Sequence, residues 1–263
     1  MYSISFIDLR LSNNMSRKKR KLKAYLIPFL LGIMVIWFLL FLKFRNRYNS
    51  PDLDINNLRE YNTICGIDIS KYQARINWEK VASQIDFVYI RASSGSNYSD
   101  PLFEKHYANA NDNEIPTGAY HYFVFNVSGI KQAENFLKNI GNNYFELPLV
   151  IDVEEHPKYG RSSFNYQTTI DNLKNFITTV ENKTGNQLMI YTNKECYEKY
   201  IKPNFPTHRL WICSFQNKET LPPHWTFWQK THTGKIDGIN GFVDIDVFNG
   251  NRATWFEYIG KIM

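Results

Sequence analysis

"QNKETLPPHWTFWQKTHTGKIDGINGFVDIDVF", residues 216–248, holds two strand-like runs and leaves no room for a helix between them. "WTFWQK" (225–230) and "FVDIDVF" (242–248) are rich in aromatic and β-branched residues, the composition that favours strands. Ahead of the first run lie the nine residues "QNKETLPPH" with two prolines, and between the runs lies "THTGKIDGING" with three glycines. A crossover helix with its two turns needs about a dozen residues or more, so neither gap supplies one.

Upstream the pattern changes. Six further runs have strand character: "TICGIDIS" (63–70), "FVYIRAS" (87–93), "TGAYHYFVF" (117–125), "PLVIDVE" (148–154), "QLMIYTN" (187–193) and "RLWICSF" (209–215). Their near-continuous apolar character points to strands covered on both faces, as in a parallel sheet. After the third run, Ile130, Ala133, Leu137 and Ile140 recur at helical spacing, and after the fourth Ile170, Leu173, Ile177 and Val180 do the same. "DPLFEKHYANAND" and "NKECYEKYI" suit helices after the second and fifth runs. The alternation predicts an α/β fold, a modified TIM-type barrel of (β/α)5(β)3 form, over residues 62–263.

The formal charge of +6 belongs to the N-terminus. Residues 1–47 hold ten Lys/Arg and one acid, whereas the rest holds 21 basic and 24 acidic residues. The predicted barrel is therefore mildly acidic, which argues against a nucleic-acid partner. Within the basic segment, "AYLIPFLLGIMVIWFLLFL" (24–42) runs 19 residues without a charge, enough to cross a bilayer as a helix. The cluster "RKKRKLK" (17–23) precedes it, so the sequence predicts a single-pass signal anchor in the cell membrane. The basic tail 1–23 would be cytoplasmic, 43–61 a linker, and the barrel periplasmic or extracellular. Cys65, Cys196 and Cys213 are too few for a disulfide scaffold and read as small buried apolar residues. No CxxC, HExxH or Gly-rich phosphate loop occurs, and no metal or organic cofactor is implied.

In barrels of this kind the C-terminal ends of the strands carry the active site. Polar or aromatic groups stand there on nearly every predicted strand: Asp68, Arg91, His121 with Tyr122, Asp152 with Glu154, Tyr191, Trp211, Trp228 with Gln229, and Asp244 with Asp246. Residues i and i+2 of a strand face the same way, so Asp152 and Glu154 project together while Val153 turns toward the helices. Closure of the ring sets the first strand beside the last, and Asp68 beside Asp244. Carboxyls crowded together and desolvated retain protons near neutral pH, and a protonated carboxyl beside ionised ones is the equipment for cleaving a glycosidic bond. Tyr120, Tyr122, Tyr191, Trp211 and Trp228 would contact the apolar faces of sugar rings.

The chain resembles the family 25 glycoside hydrolases, the Chalaropsis-type lysozymes. The matches run in order as "GIDISKYQ", "INWEKV", "YSDPLFEKHYANA", "GAYHYF", "PLVIDVE", "IYTN", "LWICSF", "FWQ" and "GFVDIDVFNG", over about residues 64–250. The resemblance implies an N-acetylmuramidase that cuts the β-1,4 bond between N-acetylmuramic acid and N-acetylglucosamine in peptidoglycan. It implies Glu154 as general acid, Asp152 as the group that orients or stabilises an intermediate, and Asp68 and Asp244 as further acidic members. The tyrosines and Gln229 would line the groove. One departure stands out: where members commonly read "KATEG", this chain reads "RASSG", with Arg91 for Lys and Ser94 for Glu. A wall-binding barrel without turnover and a glycosidase acting on another polymer, such as chitin, are the competing readings.

Overall fold

The computed structural model describes residues 34, 36, 53–59, 63–155 and 164–260. The chain divides into two compact units, Met1–Asn49 and Ser50–Met263, and the second is the subject here. The predicted membrane span, residues 24–42, lies outside the described residues except for Met34 and Ile36. Among the described residues no helix is long and apolar enough to cross a membrane.

Nine strands form one sheet: β1 Cys65–Ile69, β2 Phe87–Ser94, β3 Tyr98–Ser99, β4 Thr117–Tyr122, β5 Val150–Val153, β6 Met189–Asn193, β7 Arg209–Cys213, β8 Trp225–Gly234 and β9 Val243–Phe248. Eight of them close into a barrel in the order β1-β2-β4-β5-β6-β7-β8-β9 and back to β1, while β3 is a two-residue ribbon on the end of β2. Helices α1 Ile55–Arg59, α2 Trp78–Ala82, α3 Phe103–Asp112, α4 Gly129–Ile140, α5 Tyr166–Thr184, α6 Lys194–Cys196, α7 Lys202–Asn204 and α8 Arg252–Gly260 follow in chain order. A π turn, Tyr197–Ile201, joins α6 to α7. Five strands are thus followed by helices before β7, β8 and β9 close the ring without them, as the short connections require.

Three features differ from the sequence reading. The ladder is parallel from β1 through β8, but β9 runs antiparallel to both β8 and β1. The eight residues between Gly234 and Val243 are too few to carry the chain back across the sheet, so they turn as a hairpin. Residues 53–59, predicted as linker, instead belong to the folded unit: Ile55 is fully buried, and Asp54 bridges to Lys235. Ile130, assigned to the buried stripe of its helix, is exposed, while Ala133, Phe136 and Ile140 fill that face.

The core has two layers. Inside the barrel lie Phe87, Tyr89, Val150, Met189, Trp211 and Phe227, and Trp255 of α8 packs with them against Phe87 and Phe248. Each such side chain contributes on the order of 2 kcal/mol by leaving water. Glycine makes this packing possible on both sides of β2. A Cβ on Gly66 would lie 2.4 Å from the Phe87 ring, and one on Gly118 would lie 2.2 Å from Tyr89. Outside the barrel, Ile67, Ile151, Val153 and Ile190 meet the helices, where Phe136 of α4 and Phe176 of α5 stack at 6.0 Å. Asn77, Ser128 and Asn165 cap α2, α4 and α5 by accepting from backbone N–H groups in the first turn.

Candidate active site

The strand pleat decides which side chains reach the barrel mouth. On β1, Gly66 and Asp68 point inward, and the antiparallel register sets Asp68 opposite Asp244 and Gly66 opposite Asp246. Asp152 points inward from β5 between Tyr122 and Tyr191 of the adjoining strands. Glu154 follows immediately after the strand, half-buried, while Val153 is fully buried among the outer hydrophobic residues.

Gln229 organises the centre. Its Nε2 donates to Asp68 Oδ2 at 2.7 Å, and its Oε1 accepts from the Tyr191 hydroxyl at 2.8 Å. Asp246 has no exposed surface, and its Oδ1 accepts from Trp211 Nε1 at 2.9 Å. The carboxyls of Asp244 and Asp246 both reach hydrogen-bond distance of Asp68, contacts that form only when one member of a pair carries a proton.

Burial dominates the electrostatics. It pushes Asp68 up to about 6, although hydrogen bonds from Gln229, Asp244 and Asp246 and the charge of Arg91 oppose the shift. Burial, then the negative charge of Asp68, pushes Glu154 up to about 7. Asp152 is raised well above the ordinary range by burial, then by Glu154 and Asp68. Asp244 and Asp246 are raised in the same way, by burial and then by Asp68. At neutral pH the group therefore holds protons, with Glu154 close to half protonated.

A cationic wall faces these acids. Arg91 Nε donates to Asp100 Oδ2 at 2.9 Å, and its guanidinium lies over the rings of Tyr72 and Tyr98 at 5.4 and 5.7 Å. Asp100 is buried and also accepts from the Lys71 backbone N–H, which ties the loop after β1 to the end of β2. Asp100, Tyr72 and Tyr98 were absent from the sequence-derived candidates. The Asp-Pro step at 100–101, inside a quoted motif, was the available signal for the first. Ser94 follows a register shift in β2 and pairs with Tyr122, so the "RASSG" departure sits at the inward rim.

Strand direction brings Asp68, Arg91, Tyr120, Tyr122, Asp152, Glu154, Tyr191, Gln229 and Asp244 together, and the charges of Asp68 and Asp152 act on both Tyr120 and Tyr191. Two aromatic candidates point the other way. His121 alternates with Tyr120 and Tyr122, so it turns outward beneath the helices, bonded to Ser93 Oγ at 2.8 Å and packed against Phe176 at 4.9 Å. Trp228 alternates with Phe227 and Gln229, faces the outer layer, and donates from Nε1 to the Ser214 carbonyl at 2.6 Å. Trp211 and Asp246 do point inward, but they are buried beneath the mouth, with Trp211 only 2% exposed, and support the site from below. Among the described residues no His, Cys, Asp and Glu cluster is arranged to hold a metal ion.

A closed (β/α)5(β)3 barrel with clustered, proton-retaining carboxyls at the ends of its strands defines a glycosidase. The family model for "Glycosyl hydrolases family 25" matches residues 67–239, and the chain belongs to that family as a glycoside hydrolase. It is 34% identical over 206 residues to "Lysozyme M1" of Streptomyces globisporus, covering 72% of this chain and 68% of that protein. It is also 33% identical over 196 residues to YegX of Escherichia coli K12, covering 72% of this chain and 70% of that protein. A family 25 glycosyl hydrolase structure from Bacillus anthracis superposes with a TM-score of 0.70 at 31% identity, covering 80% of this chain and 97% of that one.

The raised carboxyls have a thermodynamic consequence. A carboxyl that binds its proton more tightly when folded gives stability that is fully present below its unfolded pKa and is lost as pH rises through the folded one. Here that loss falls between about pH 4 and pH 8, given folded values of about 6 and 7 for Asp68 and Glu154. Urea unfolding of Asp244→Asn should therefore lose less stability than wild type as pH rises above the ordinary carboxylate range, because burial and the charge of Asp68 raise the Asp244 carboxyl. A difference independent of pH would contradict the assignment.

Proposed function

We propose that this chain is a membrane-anchored N-acetylmuramidase that hydrolyses the β-1,4 bond between N-acetylmuramic acid and N-acetylglucosamine in peptidoglycan. The observation that carries this reading is Glu154, a carboxyl raised to about 7 by burial and by Asp68, at the open end of the barrel. A group so poised holds a proton for the departing glycosidic oxygen at neutral pH and accepts one afterwards from water. The lysozyme relatives support the choice of polymer.

Asp152 and Glu154 rise from one strand end, which leaves little room for a carboxylate directly beneath the anomeric carbon. The reading therefore takes the substrate's own N-acetyl oxygen as nucleophile. As Glu154 protonates the leaving oxygen and its bond to the anomeric carbon breaks, the N-acetyl carbonyl oxygen closes on that carbon, and Asp152 orients the group by accepting from its amide N–H. Water then opens the ring, giving its proton to Glu154. Arg91 limits the negative charge by acting on both Asp68 and Asp152, and Tyr120, Tyr122 and Gln229 line the groove.

The uncharged segment 24–42 and the basic cluster before it support an anchor that leaves the barrel outside the cytoplasm, close to the wall it would cut. Full-length protein should stay with membranes through a high-salt wash and enter solution only in detergent. Release by salt alone would remove the anchor from the proposal.

Digestion of purified sacculi tests the chemistry. Wild type should release fragments with muramic acid at the new reducing end, in the retained anomeric form at first, and Glu154→Gln should lower the rate by about 10²–10⁴. An N-acetylglucosamine reducing end would overturn the bond specificity, and immediate inversion would overturn the substrate-assisted route.

A further inference from the structure

Glu154 comes just after the last residue of β5, where the strand ladder no longer holds the chain. Its two flanking peptides are nevertheless both tied to β6 and the turn that follows it. On one side the Val153 carbonyl accepts from Thr192 Oγ1 at 2.8 Å, and on the other the Glu155 N–H donates to Cys196 Sγ at 3.3 Å. The Glu155 carboxyl is gripped from the same stretch: its Oε1 accepts from Lys199 Nζ at 2.7 Å and from the Tyr200 hydroxyl at 2.5 Å. Cys196, Lys199 and Tyr200 stand at i, i+3 and i+4, the spacing that puts side chains on one face of a helical turn.

The far end of this clamp is rigid. Tyr200 has no exposed surface, and its ring stacks on Tyr166 of α5 at 5.8 Å and meets Phe125 at 5.4 Å. Lys199 is 44% exposed, so its ion pair is the weaker tie and the Tyr200 hydroxyl the stronger. The hydrolytic steps give these groups no part, yet they fix the backbone on both sides of Glu154. That matters because burial, and then Asp68, raise the Glu154 carboxyl, and a side chain swung into water would escape both. Glu154 is faced by Asp68, Asp152, Tyr191, Cys213 and Asp244 from the strands and by Cys196 from α6.

We propose that Glu155 is a positioning residue for the reaction: gripped by Tyr200 and Lys199, it holds the Glu154 carboxyl half-buried at the barrel mouth, aimed at the departing oxygen. The role rests on Glu154 being the acid.

Turnover of solubilised peptidoglycan by the full-length protein in detergent, read beside carbon-13 NMR of the side-chain carboxyls, tests it. Glu155→Ala and Tyr200→Phe should each lower kcat, the former by about 10- to 100-fold, with KM nearly unchanged. The Glu154 midpoint should fall from about 7 towards the ordinary carboxylate range, and the alkaline limb of the kcat profile should move to lower pH with it. Tyr200→Phe keeps the ring in its packing, so the comparison survives a Glu155→Ala protein that does not fold. Glu155→Gln keeps an acceptor for the Tyr200 hydroxyl and should retain most of the rate. Glu198→Ala breaks the exposed Glu198–Lys202 pair, 2.8 Å apart, at the same turn and should change neither rate nor midpoint. Wild-type kcat and midpoint in a folded Glu155→Ala or in Tyr200→Phe, with Glu154→Gln inactive, would overturn the positioning role and leave the acid standing. Full activity in Glu154→Gln would overturn both.

Discussion

Asp68 and Asp244 face each other across the β1–β9 ladder, where two like charges would ordinarily push strands apart. The barrel tolerates the pair because burial favours the neutral carboxyl and because Gln229 donates to Asp68. That single juxtaposition sets the proton affinity of the mouth. Negative charge on Asp68 raises Glu154, Asp152, Asp244 and Asp246 alike, so the acid proposed to protonate the leaving group draws its proton from a shared pool. The antiparallel course of β9 is what brings Asp244 to this rim.

The supports of the site reach well beyond the groups themselves. Gln229 joins Asp68 to Tyr191, and Trp211 fixes the buried Asp246 from below, so the acids are held by side chains that are themselves buried. On the opposite wall Asp100 grips Arg91 between two tyrosines, which keeps a fixed positive charge near acids that would otherwise be harder still to ionise. Beyond Glu154 the chain is held as well. Glu155 takes Lys199 at 2.7 Å and the Tyr200 hydroxyl at 2.5 Å, both from the π turn that joins α6 to α7. Such turns are rare, and this one places two partners on the residue next to the proposed acid.

Much of this was legible in the sequence because it follows from local rules. Short links fixed the three bare strands, helical spacing located α4 and α5, and ring closure set Asp68 beside Asp244. Strand direction was harder. The apolar continuity of "FVDIDVF" is the same for a parallel and an antiparallel buried strand, and only the hairpin connection separates them. His121 and Trp228 were misplaced because adjacent polar or aromatic residues in a strand cannot all face inward; alternation assigns them to the helix side once Tyr120 and Gln229 are known to face the mouth. Helix α8 carries no clear apolar periodicity, yet Trp255 is anchored in the barrel core, a tertiary contact that no local pattern signals. Asp100 owes its role to a loop that folds back on β2, a long-range fact of the same kind.

Carbon-13 NMR of the Asp and Glu side-chain carboxyls in the full-length protein, followed from pH 3 to pH 9, measures proton retention at the barrel mouth directly. The Glu154 carboxyl should titrate with a midpoint near 7, and Asp152 and Asp244 should remain largely protonated well above the ordinary carboxylate range. If all of these carboxyls titrated together near pH 4, as solvent-exposed ones do, the barrel mouth would hold ionised acids at neutral pH, and Glu154 would have no proton to give.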